Sequence, residues 1–121
     1  MLIAEERSGG AVEALVGDEL AALSVVTVSE LLHGVNRADA AHRIKRGAFV
    51  ESILQGYVAV PITNRVARVH ADVWAELEAA GRMIGPHDLW IAATALTHDL
   101  AVATLDARDF ARVPGLRVVA P

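Results

Sequence analysis

This chain of 121 residues contains no cysteine. Disulfides, a thiolate zinc site and a cysteine nucleophile are therefore all excluded, and the usage matches a reducing compartment. No apolar run is long enough to span a membrane, and no basic N-terminal region leads into an apolar stretch. The expectation is a soluble cytoplasmic protein without a membrane partner. Positive charge is also scarce: 11 Lys and Arg stand against 15 Asp and Glu, for a net charge of −4. Such a balance argues against broad, non-specific attraction to nucleic acid, so an enzyme acting there must rely on local Arg patches and metal. The chain has no GxGxxG turn, no phosphate-binding loop of the GxxxxGK[ST] type and no GxSxG elbow, which disfavours dinucleotide binding and acyl transfer. Internal repeats, low-complexity tracts and linkers are also lacking.

What is present is apolar: 54% of the residues are hydrophobic, enough for one core, and residues 1–121 read as a single domain. The periodicity predicts a helix around Val12 to Val16, a strand at Leu23 to Val26, and a helix from Thr27 to Asn36. A longer helix follows from Ala38 to Leu54, with Ile44, Ala48, Ile53 and Leu54 inward, broken at Gly56. Tyr57 to Val60 reads as a strand stopped by Pro61. Thr63 then caps a helix reaching Ala80, with Val66, Val69, Val73 and Leu77 on its inner face and Gly81 as its stop. A helix from Pro86 to His98, a strand from Ala101 to Leu105 and an edge strand from Leu116 to Val119 complete the chain. Short apolar strands alternating with helices indicate a parallel sheet covered on both faces. Ligands of such sheets bind beyond the carboxyl ends of the strands.

Three acids sit at such places. The helix of Leu89, Trp90, Ile91, Ala92, Ala93, Ala95 and Leu96 has almost no polar face, yet carries Asp88 on its first turn. Capping of the helix dipole explains many such acids. Glu30 opens a second segment directly after a strand, however, and Asp106 follows the strand ending at Leu105, with Asp109 three residues on. Carboxylates converging without cysteine or a spaced histidine pair suit a hard divalent cation, magnesium or manganese. Uncompensated, two such charges ~4 Å apart repel by about 4 kcal/mol at an effective dielectric of ~20. A metal held by acids suits phosphodiester hydrolysis. His33 and His87 adjoin the acids and read as neighbours rather than ligands. Thr104 could orient an acid but is equally an ordinary strand residue. Arg43, Lys45 and Arg46 could track RNA phosphates or form a solvated face. Trp90 reads as core, while Trp74 could stack on a base.

Three stretches carry a family resemblance: Val28-Ser29-Glu30-Leu31-Leu32-His33-Gly34-Val35, Ile84-Gly85-Pro86-His87-Asp88-Leu89-Trp90-Ile91-Ala92-Ala93 and Ala103-Thr104-Leu105-Asp106-Ala107-Arg108-Asp109-Phe110. With the closing Val113-Pro114-Gly115-Leu116, they closely resemble the PIN-domain ribonucleases, specifically the VapC toxins of bacterial toxin–antitoxin pairs. The resemblance implies an α/β fold, a three-layer α/β/α sandwich with a central parallel sheet, and a magnesium-dependent acidic site that cuts RNA. Glu30 and Asp88 match two of the family's metal-site acids. The last is Asp106 or Asp109, with Asp106 favoured because it directly follows the strand. The resemblance also implies a VapB-like antitoxin as partner and a homodimer.

The likeness departs at the N-terminus. VapC-like chains open with a short strand ending in Asp-Thr/Ser-x-Leu-Ile, whose Asp is a principal ligand; Met1-Leu2-Ile3-Ala4 matches only the tail of that motif. The first strand and its acid are thus expected to be missing, with Glu5 and Glu6 falling in the following helix. A start codon placed too far downstream would account for this. Two other functions stand beside the ribonuclease: a catalytically impaired remnant that only binds a partner, and a metal-dependent phosphatase acting on small esters.

Overall fold

The computed structural model describes residues 1–7, 12, 16, 17 and 19–121. Its centre is a five-stranded parallel sheet in the order β3-β2-β1-β4-β5. The strands are β1 (Leu2–Ala4), β2 (Ala21–Ser24), β3 (Val58–Val60), β4 (Ala101–Ala103) and β5 (Val118–Val119). Four described helices connect them: α1 (Val25–Arg37), α2 (Ala40–Gly56), α3 (Asn64–Ala79) and α4 (Pro86–Thr97). A short 3-10 turn covers Phe110–Arg112.

Contrary to the expectation of a missing first strand, one is present, and it is the central strand of the sheet. Leu2, Ile3 and Ala4 are buried and pair with Ala101, Val102 and Ala103 on one side, while Leu2 and Ile3 pair with Ala21 and Ala22 on the other. A run of three apolar residues shows no period of its own. Only its neighbours identify it as the sheet's middle.

Local chemistry sets the element ends. Ser24 ends β2 and caps α1, its hydroxyl accepting the Val26 N–H at 3.1 Å. Val25 and Val26, expected in the strand, are therefore helical. Asp39 caps α2 by accepting the His42 N–H at 3.0 Å, and Thr63 caps α3 by accepting the Val66 N–H at 3.3 Å. At the far end of α3, Gly81 takes φ +66° while the Arg82 N–H bonds back to the Leu77 carbonyl at 2.9 Å, closing the helix. Pro86 occupies the first turn of α4, where its missing N–H costs nothing.

The two faces of the sheet bury separate clusters. Val73, Leu77, Leu89, Ile91, Ala95 and Phe110 pack with Ile3 and Val102 on one side; Leu31, Val50 and Ile53 pack with Leu2, Leu23 and Ala103 on the other. The inner face expected for α2 needs correction. Ile44 is 85% exposed and Ala48 is exposed, while Val50 and Ile53 are buried and Leu54 half-buried. Only the second half of α2 touches the core; the first half stands clear of it. The helix expected around Val12 to Val16 lies outside the described residues except at Val12 and Val16.

Candidate active site

The strand order reverses between β1 and β4: from β1 the chain builds β2 and β3 on one side, then crosses to β4 and β5 on the other. Such a switch point opens a crevice at the carboxyl ends of the strands. Glu5 follows β1 directly, its N–H still bonded to the Ala103 carbonyl at 2.8 Å, and its carboxylate is buried there. Thr104, following β4, donates its hydroxyl to Glu5 Oε2 at 2.7 Å. Asp88 enters from the first turn of α4 and Glu30 from α1.

Arg7 ties these acids together. Its Nε lies 2.6 Å from Glu5 Oε1 and 3.4 Å from Glu30 Oε2, and its Nη2 is bonded to Asp88 Oδ1. His87 Nδ1 stands 3.2 Å from the same Glu30 oxygen from the solvent side. Asp109 accepts the Gly85 N–H at 3.2 Å and faces Asp88. Burial pushes the Asp88 carboxyl above the usual carboxylate range; Arg7 opposes the shift, and Asp109 adds to it. Burial likewise raises Glu5, against the Thr104 hydrogen bond and the Arg7 charge.

The structure thus brings together Glu30, Asp88 and Asp109 of the residues singled out in the sequence, and adds Glu5. Asp106 is not drawn in. Its carboxylate is exposed and held by the Arg108 backbone N–H at 3.2 Å and the Arg108 guanidinium at 3.3 Å, which together lower its proton affinity. The turn responsible is short: the Asp106 N–H bonds to Thr104 Oγ1 at 3.0 Å, sending the side chain outward. Glu6, also buried, accepts the Val12 N–H at 3.3 Å. His33 is exposed, and Trp90 stacks on His70 with centroids 3.5 Å apart.

Glu5, expected in a helix beyond a missing strand, instead stands directly after β1 and outside any helix, because Leu2–Ala4 is itself the first strand. The Arg7 contacts and the pairing of Thr104 with Glu5 join positions that are distant or carry no pattern in the sequence.

The donor chemistry suits a hard cation. All the acids offer oxygens; Glu30 Oε1 is buried without a hydrogen-bond partner, and Glu5 Oε1 is met by the Arg7 guanidinium charge. As the side chains stand, no three Asp, Glu or His residues among those described form a cage for an ion. The Arg7 guanidinium supplies the compensating charge instead. A divalent ion would take up the same oxygens once that side chain, 42% exposed, swung outward.

A parallel sheet of this order with acids gathered at its switch point is a doubly wound α/β site, and the PIN domain profile matches residues 2–116. The chain is 37% identical over 116 residues to ribonuclease VapC5 of Mycobacterium tuberculosis, covering 95% of this chain and 84% of that protein. It is 33% identical over 122 residues to a ribonuclease VapC of Rickettsia bellii, covering 98% of this chain and 90% of that one. Its fold superposes on a VapBC-5 toxin–antitoxin structure from M. tuberculosis with a TM-score of 0.80 at 29% identity, over 98% of this chain and 96% of that one. The chain belongs to the VapC family of PIN-domain proteins.

Proposed function

We propose that this chain is a magnesium-dependent endoribonuclease and the toxin of a type II toxin–antitoxin pair, with a VapB-like antitoxin as its partner. The supporting observation is the gathering of Glu5, Glu30, Asp88 and Asp109 at the β1/β4 switch point, in a chain whose relatives are named ribonucleases. Glu5, Glu30 and Asp88 would hold the ion, magnesium or manganese, with Asp109 supporting Asp88. When bound, such an ion lowers the pKa of a coordinated water and offsets charge on phosphate oxygens.

The chain's own residues prepare that arrangement. The Thr104 hydroxyl fixes the rotamer of Glu5, and the Gly85 N–H fixes Asp109. The N-terminus of α4 presents its positive dipole end to Asp88. Arg7, on leaving the acids, can bond a phosphate of the substrate through the planar fork it now offers to carboxylates. Hydrolysis adds the water oxygen to phosphorus, breaks one P–O bond, and leaves the departing oxygen to gain a proton.

Arg7 also favours a second reading, a partner-binding protein that does not cut, because its guanidinium lies where a metal would be needed. The loss of the family's first acid no longer favours it, since Glu5 stands at the end of β1. Cleavage of RNA with magnesium and with chelator separates the two, with Asp88→Asn as the control for contaminating nucleases. Magnesium-dependent cutting that falls at least about 100-fold in the variant supports the nuclease. An inactive wild-type chain that still binds antitoxin would establish the second reading. Hydrolysis of small phosphate esters without RNA cutting would indicate a phosphatase.

A further inference from the structure

Beside the acids, α1 and α2 enclose an open cleft of about 570 Å³, and Arg7 and Glu30 form its inner end. Leu31 and Val50 lie on its floor. Gly34 leaves that floor open: a Cβ built there meets nothing within 4 Å.

The outer walls are basic. Arg37 ends α1, and Lys45 and Arg46 face the cleft from α2, one turn beyond His42. No described carboxylate is paired with Arg37, Lys45 or Arg46. Arg43 belongs to a different task, donating to the Asn36 and Ala38 carbonyls at 3.4 and 3.0 Å and so holding the α1–α2 turn. Many basic side chains here lack a carboxylate partner, so that alone is ordinary; what sets the cleft apart is that three of them, Arg37, Lys45 and Arg46, line one recess in a chain of net charge −4. Phe49, 47% exposed, lies one turn after Lys45 on the same wall.

We propose that this cleft is the substrate-strand subsite of the enzyme: Arg37, Lys45 and Arg46 hold phosphates of single-stranded RNA, and Phe49 stacks on a base, feeding the adjacent phosphodiester to the acids. The proposal rests on the nuclease reading above. Cations that follow a backbone beside an aromatic face are the chemistry by which single strands are held without sequence readout. A duplex is recognised instead from outside, across its grooves, and does not enter a recess between two helices. The location of the cleft supplies the rest of the argument. Along α1, Arg37 lies about 10 Å from Glu30 at ~1.5 Å per residue, so a strand held at the cleft's far end passes over the acids.

The test uses the full chain. In an Asp88→Asn background, which prevents cutting, binding of a short fluorescein-labelled oligoribonucleotide is followed by anisotropy over a range of salt. The double variant Lys45→Gln/Arg46→Gln is expected to bind at least tenfold more weakly. Losing two phosphate contacts should also flatten the slope of log K against log salt by about 1.4, at ~0.7 per contact on a single strand. With Asp88 intact, the same double substitution should raise KM and leave kcat unchanged, and Phe49→Ala should raise KM without changing the salt slope. Both cations are exposed, so thermal melts should match the parent. An unchanged affinity and slope overturns the subsite, as does wild-type protein that binds no RNA. If the variant cuts RNA with the parent's KM but loses its antitoxin, the cleft is a protein-binding site and the proposal fails while the nuclease stands. If the parent binds RNA with the expected slope but cuts none, the nuclease reading fails while the strand-binding cleft stands.

Discussion

Asp88 and Glu5 are held away from water, and for both that burial is the largest influence on proton affinity. Their folded-state pKa values are raised, so in the window between the unfolded and folded values the folded chain binds more protons. Stability therefore falls as pH rises through that window, the opposite of the usual salt-bridged carboxylate. In chelator, the melting temperature of the wild type should decline from about pH 4 toward neutrality relative to that of Asp88→Asn. Parallel pH curves for the two proteins would mean that Asp88 is not strained as described. Arg7 counters the strain. Being partly exposed, it contributes only modestly, and Arg7→Gln should lower stability in chelator by about 1 kcal/mol, or ~4 °C in a domain of this size. Magnesium should recover that loss and shift the variant's melt at lower concentration than the wild type's, because the ion no longer competes with a guanidinium. A variant as stable as the parent in chelator, and unmoved by magnesium, would remove Arg7 from the charge balance.

At the scale of elements, α3 and α4 form the most closely joined pair, with Val73 and Leu77 in one cluster with Leu89, Ile91, Ala92 and Ala95 of α4. Leu77 is 1% exposed. Leu77→Ala should cost about 2–5 kcal/mol by transfer and cavity terms, read as a lower urea midpoint with unchanged slope; a loss below about 1 kcal/mol would show that the pair repacks freely. This helix was legible in the sequence from cap to stop, because Thr63, the three- and four-residue spacing and Gly81 each act locally. Asp88 was legible for the same reason, as an acid on the first turn of an apolar helix, whereas Glu30 was picked out as opening a segment and lies in the second turn of α1, because Ser24 starts that helix earlier. The remainder depended on distant partners. Which half of α2 reaches the core is decided by where the sheet ends, so Ile44 misled. Whether Asp106 or Asp109 turns inward depends on contacts to Thr104 and Arg108 for the one and to the Gly85 N–H for the other. That Leu2–Ala4 is the middle strand is decided by β2 and β4 on either side.

For the whole molecule, the balance of apolar surface is the informative quantity. Two interior clusters account for most of the large side chains, yet Leu20, Ile44 and Val58 are 73%, 85% and 69% exposed, and Phe49 and Trp74 are about half exposed. Val58 lies on β3, an edge strand whose outer hydrogen-bonding groups no described strand pairs. A small monomer tolerates scattered apolar residues, Leu20, Ile44 and Trp74 among them, but an open sheet edge carrying an exposed Val58 is surface that a second chain could cover. A homodimer, the expectation drawn from the family resemblance, would cover part of it. Sedimentation should then give about twice the 12.8 kDa chain mass, and the melting temperature should rise with protein concentration, since association stabilises only the folded chain. A monomer with a concentration-independent melt would leave that surface to the antitoxin. Adding antitoxin should then raise the melting temperature of the wild type and of Val58→Asp unequally if the β3 edge is where it sits.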